Sequence, residues 1–76
     1  MEKLLQILNK IKPGVDFSKE DDIVERGLLT SFDILSLVSE LNNEFDIEIT
    51  PLHILPENFK NAKTIYNLVQ KLIDED

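Results

Sequence analysis

The chain has 76 residues, and its 15 Asp and Glu against 8 Lys and Arg leave a net charge of -7, which fits one small acidic domain over residues 1–76. Its 42% hydrophobic content is too high for a wholly disordered acidic chain, yet a domain of this size buries only about 60% of its unfolded surface. The absence of cysteine excludes a disulfide staple and a thiolate ligand, and nothing indicates an oxidising compartment. The acidity argues against nucleic acid and against anionic membrane surfaces, which are held by Lys and Arg, and it suits basic protein partners.

The first twelve residues, MEKLLQILNKIK, carry charges or amides too often for the apolar region of a signal peptide. No run approaches the roughly 18 apolar residues of a membrane span. A cytoplasmic monomer is therefore expected. Leu4, Leu5, Ile7, Leu8 and Ile11 share one helical face, and Lys10, Lys12 and Pro13-Gly14 supply a cationic end and a stop, which predicts a first helix. From Val15 to Thr30 apolar residues stand singly or in pairs, a long loop pinned by Phe17, Ile23, Leu28 and Leu29. Loops this long tend to be functional or to hold a turn of their own, and Gly27 suits a left-handed or tight-turn position.

The helical period returns from Ser31 to Phe45, with Ile34, Leu37, Val38, Leu41 and Phe45 on one stripe that reads as a core face. Thr30 or Ser31 can cap this helix, and Asp33, three residues after Thr30, makes a relative of the capping box; either cap contributes about 1 kcal/mol. Asp46-Ile47-Glu48-Ile49-Thr50 alternates like a strand but has no second alternating run to pair with, so an extended connection is expected. The PENFKNA segment from Pro56 is predicted to hold one short helix, because proline is tolerated in a first turn. Thr64 then precedes Ile65, Leu68, Val69, Leu72 and Ile73, the apolar face of a last helix. The fold class expected is an all-α, antiparallel-type bundle of three main helices plus one short one. Its acidity is uneven: residues 16–48 carry ten acids and two bases.

Catalysis needs a nucleophile beside a base, a metal cluster, or a cofactor with its cradle. One His, no Cys, no Gly-rich phosphate loop and no paired metal ligands on a helix give no catalytic residue and no metal site. Asp21, Asp22 and Glu25 lack the alternating ligands and central glycine of a calcium loop and read as a solvated acidic loop. His53, alone between Leu52 and Ile54, reads as a loop or packing residue.

The segment Gly27-Leu28-Leu29-Thr30-Ser31-Phe32-Asp33-Ile34-Leu35-Ser36-Leu37-Val38, followed by Glu40-Leu41 and Glu44-Phe45-Asp46-Ile47, is the informative one. It resembles the acyl carrier protein family, in which an acidic-Ser-Leu or acidic-Ser-Phe triplet opens the second helix and a Glu-Phe-Asp-Ile-type run ends it. The likeness covers essentially the whole chain, including the Ala62-Lys63-Thr64-Ile65 approach to the last helix. The Leu-Leu-x-Ser-Phe wording and Pro56-Glu57-Asn58-Phe59 look like the D-alanyl carrier branch and related stand-alone carriers.

The resemblance implies a 4'-phosphopantetheine arm on Ser31, attached from coenzyme A by a separate phosphopantetheinyl transferase, whose thiol holds an acyl or aminoacyl thioester. An acyl- or aminoacyl-loading ligase and downstream acyl-using enzymes, in fatty acid, polyketide or D-alanyl work, would be the other partners. Independently, a serine at a helix start is exposed, and the helix dipole favours an anion there; the alternative is that Ser31 is only a cap. On the helical wheel Phe32 and Leu35 point away from the core stripe, toward Ser39, which suits docking. By resemblance Phe32, Leu35, Ser36 and Ser39 match partner-binding positions, while Asp33, Glu40 and Glu44 can steer basic partners. Phe32 folded back on the loop is the other reading.

A small apolar cleft lined by Leu37, Leu41, Ile49, Leu55, Phe59 and Ile65 can be drawn, although these are core residues by default. The chain departs from the family pattern at Thr30, where an acidic residue usually stands, and on the outer face of the second helix at Ser36, Asn42 and Asn43, positions that are acidic in the fatty-acid type. Those departures fit a specialised carrier, or an unmodified carrier-like adaptor that binds protein partners through its second helix.

Overall fold

A computed structural model gives the structure of the chain over residues 1–75. Helix α1 spans Glu2–Ile11, α2 spans Ser31–Phe45 and α3 spans Ala62–Glu75, with a 3-10 turn at Pro51–His53. Each α-helix packs on the other two, α1 against α2 most extensively. Ion pairs of Lys3 with Glu44 and of Lys12 with Asp33 join the start of α1 to the end of α2 and the reverse, so these helices run antiparallel.

The core follows the apolar periodicities. Leu4, Ile7 and Leu8 of α1, Leu37, Val38 and Leu41 of α2, and Ile65, Leu68, Val69 and Leu72 of α3 are buried together. Leu5, Ile11, Ile34 and Phe45 flank that core, partly buried, where each apolar stripe drifts off its axis. Ile73 is the exception on α3 and is exposed.

The long loop between α1 and α2 is anchored by its own apolar residues, with Phe17, Ile23 and Leu29 buried and Leu28 half-buried. It also holds a turn: the Asp22 carboxylate accepts the Glu25 N–H at 3.0 Å, and the Leu28 N–H reaches the Ile23 carbonyl at 3.0 Å. Gly27 closes this turn at φ 68°, where a side chain would be strained. The Ile23 N–H donates to the Lys60 carbonyl and the Asn61 side-chain amide to the Asp21 carbonyl, which ties the loop to the approach to α3.

The segment after α2 is extended, as expected, and its missing strand partner is replaced by one side chain. Asp46 ends the helix in the left-handed region at φ 53°. The Asn42 side-chain carbonyl then accepts the Ile49 N–H at 2.8 Å, satisfying a backbone donor that a neighbouring strand would otherwise take.

Two expectations need correction. The short helix is not in PENFKNA but at Pro51–His53, with Pro51 in the first-turn position that suits its missing N–H. Pro56 to Asn61 instead forms turns: Asn58 donates its side-chain amide back to the His53 carbonyl at 2.8 Å, while Phe59 inserts into the core. Helix α3 starts before Thr64, because Asn61 caps it. The Asn61 side-chain carbonyl accepts the Thr64 N–H at 2.9 Å and the Thr64 hydroxyl accepts the Asn61 N–H at 3.1 Å, a reciprocal box.

Candidate functional site

Of the two residues able to cap α2, Thr30 does so. Its hydroxyl accepts the Asp33 N–H at 3.1 Å, and its own N–H donates to Asp33 Oδ2 at 3.0 Å. Both halves of the capping box are thus spent between Thr30 and Asp33, and Ser31 becomes the first residue of the helix proper. Its side chain is exposed and lies outside the cap. The N–H groups of Ser31 and Phe32 have no acceptor among the described residues. A free hydroxyl, two free amides and the positive end of a 15-residue helix suit attachment of a group that carries a negative phosphodiester.

Asp33 is held below its ordinary carboxylate value of 3.8, first by the Thr30 backbone N–H, with help from the Thr30 hydroxyl and Lys12 against some desolvation. A carboxylate so engaged is a weak base, and nothing in this turn deprotonates Ser31. Because the folded value is depressed, the stability Asp33 contributes is complete above pH about 4 and is lost as the pH falls through the lowered value. Asp33→Asn is therefore expected to flatten the acid limb of melting temperature against pH below about 4. An unchanged limb would place that stability elsewhere. Some slope remains from Asp16, whose carboxylate accepts the Ser18 hydroxyl and is held low chiefly by that bond.

The outer face of α2 is apolar next to Ser31. Phe32 is 75% exposed and Leu35 61%, Ser39 is exposed and Ser36 half-buried. Phe32 does not fold back on the loop. Leu52 in the 3-10 turn is more exposed still, at 85%, and sequence reading passed over it.

Asp33 and Glu40 lie on a different side. Lys12 Nζ stands 3.7 Å from Asp33, Lys10 Nζ 3.2 Å from Glu40 and Lys3 Nζ 2.7 Å from Glu44. The three acids of α2 all face lysines of α1 or its end, so the structure groups Phe32, Leu35 and Ser39 but sets Asp33 and Glu40 apart. The partners run in opposite order along the chain, Lys3, Lys10 and Lys12 against Glu44, Glu40 and Asp33, as antiparallel packing requires. Each pair is partly exposed and contributes little singly. Asn42 also changes role, from an outer-face position to the half-buried support of Ile49 described above.

His53 is a structural residue. Its Nδ1 accepts the Thr50 N–H at 3.0 Å, closing the 3-10 turn. Leu37, Leu41, Ile49, Phe59 and Ile65 fill the core, with only Leu55 of the proposed cleft lining exposed. A hollow of about 520 Å³ is lined by Asp46, Ile47, Glu48, Leu72 and Glu75, at the far end of α2 from Ser31. Among the described residues no helix is long and apolar enough to cross a membrane, and no three acidic or histidine side chains are grouped to hold a metal ion.

The D-alanyl carrier proteins of Lactococcus lactis subsp. cremoris, strains MG1363 and SK11, are each 33% identical to this chain over 78 aligned positions, covering 99% of it and 98% of the relative. The chain belongs to the carrier-protein family. A third member, the D-alanyl carrier protein of Lactococcus lactis subsp. lactis strain IL1403, is 32% identical over the same length. No family model matches the chain. A carrier protein presents a group to other proteins and is not an enzyme. The all-helical bundle is that of a carrier.

Proposed function

We propose that Ser31 is the attachment point of a 4'-phosphopantetheine arm taken from coenzyme A, on which an aminoacyl group is held as a thioester. The observation that carries this reading is the division of labour at the start of α2, where Thr30 caps the helix and leaves the Ser31 hydroxyl exposed. The full-length likeness to D-alanyl carrier proteins makes D-alanine the first aminoacyl group to test.

The arm supplies a thiol, the one chemistry that a chain without cysteine lacks. Everything else the chain does is positional. Thr30 and Asp33 fix the first turn, so that the Ser31 oxygen is presented at a constant angle. A phosphopantetheinyl transferase must supply the base that Ser31 lacks. Phe32 and Leu35, with Ser36 and Ser39, form the surface on which that transferase, an adenylate-forming loading ligase and the acceptor enzyme dock in turn. Asp33 and Glu40, paired with lysines, act by holding α2 against α1 more than by meeting partners.

The test is loading of the arm-bearing protein with ATP, a D-alanine-adenylating ligase and D-alanine, read by intact mass. One added alanyl group that hydroxylamine removes is the expected result. Loading by fatty acyl groups with none by D-alanine would move the carrier to fatty acid or polyketide work. Failure of any transferase to add an arm would favour the unmodified adaptor.

A further inference from the structure

Three helical turns of this chain open on the same device, a reciprocal pair of hydrogen bonds between residues three apart. At the start of α2 the Asp33 carboxylate accepts the Thr30 N–H, and at the start of α3 the Asn61 and Thr64 side chains serve each other's N–H groups. At the 3-10 turn the acceptor is the His53 ring, whose Nδ1 takes the Thr50 N–H at 3.0 Å.

A ring nitrogen accepts only while it carries no proton, so this bond requires a neutral His53 with its proton on Nε2. Protonation turns Nδ1 into a donor that faces another donor. The Thr50 hydroxyl oxygen, also 3.0 Å from Nδ1, can accept the new N–H, but the Thr50 backbone N–H then loses its acceptor. His53 itself stays anchored, because its carbonyl accepts the Leu55 N–H at 2.9 Å and the Asn58 side-chain amide at 2.8 Å. The change therefore falls on the Thr50 side. There the turn keeps the bonds from the His53 N–H to the Thr50 carbonyl and from the Ile54 N–H to the Pro51 carbonyl, of the poorer 3-10 geometry.

The charged groups that line a hollow with the ring are Glu57, in the turns that follow, and Lys71 of α3. Their charges are opposite, so they do not act together on either state of the ring. The matching acceptor in α2 behaves differently, since the Asp33 carboxylate is held below its ordinary value and goes on accepting in mild acid.

We infer that His53 is a pH-sensitive latch on the Pro51–His53 turn, closed while the ring is neutral and loosened at Thr50 when the ring takes a proton. Leu52, 85% exposed, lies between the two latch residues, so the latch sets how this apolar side chain is presented. Histidine is the side chain whose ordinary titration falls between pH about 5 and 8, and the chain has one.

The experiment follows wild type and His53→Asn by NMR from pH about 8 to about 5. At the upper end the ring nitrogens should show the Nε2–H tautomer. As the ring gains its proton, the Thr50 amide and Leu52 methyl resonances should move with the midpoint of the ring, and hydrogen-exchange protection at Thr50 should fall by about tenfold. The Thr30 amide should stay in place over the same range. In His53→Asn the side-chain carbonyl can accept the Thr50 N–H in either condition, so Thr50 and Leu52 should not titrate. An Nδ1–H tautomer in wild type at pH about 8 overturns the inference. So do Thr50 and Leu52 resonances that ignore the midpoint of the ring, or that titrate equally in His53→Asn.

Discussion

Phe59→Ala is expected to remove about 3–5 kcal/mol of unfolding free energy. Phe59 is 1% exposed and is the largest of the fully buried side chains. It sits in the turns before α3, next to Lys60, whose carbonyl takes the Ile23 N–H from the long loop. Truncation therefore opens a cavity where the loop and the approach to α3 meet. A 76-residue domain has about 4–11 kcal/mol to lose, so the variant should melt at least about 12 °C lower and be partly unfolded at room temperature. Urea unfolding followed by circular dichroism checks this. A midpoint close to that of wild type would show that the loop and α3 are not joined through this ring.

Replacing Phe32 and Leu35 together by serine should have the opposite profile. Both are mostly exposed, so unfolding should change by less than about 0.5 kcal/mol. If they anchor a loading ligase or transferase beside Ser31, kcat/KM for arm transfer or aminoacyl loading should fall at least about tenfold, the equivalent of about 1.4 kcal/mol of binding. Asn43→Ser, at the far end of α2, is the control and should leave the rate unchanged. A double variant that loads at the wild-type rate would remove this face from the docking surface.

These outcomes separate what was legible in the sequence from what was not. The three helices were legible because Leu4 to Ile11, Ile34 to Phe45 and Ile65 to Leu72 repeat at a helical period long enough to exclude other readings. Ser31 was legible as a helix start, but the choice between Thr30 and Ser31 as cap was not. It turned on which hydroxyl met the Asp33 N–H. The PENFKNA helix was misplaced because Pro56 permits a first turn without requiring one, and Asn58 and Asn61 spend their side chains on carbonyls outside the segment. The pairing of α2 acids with lysines of α1 and its end was not legible, because it depends on the antiparallel packing of the two helices. Asn42 was misread for a related reason: its role depends on Ile49, seven residues away across a bend.

The most direct measurement is the intact mass of the wild-type protein and of Ser31→Ala after incubation with coenzyme A, magnesium and a broad-specificity phosphopantetheinyl transferase. Ser31 lies outside the cap, so the variant should keep its helical circular dichroism spectrum. One arm on wild type and none on Ser31→Ala is the expected result. An arm on Ser31→Ala, or none on wild type with several transferases, would contradict Ser31 as the attachment point of this carrier.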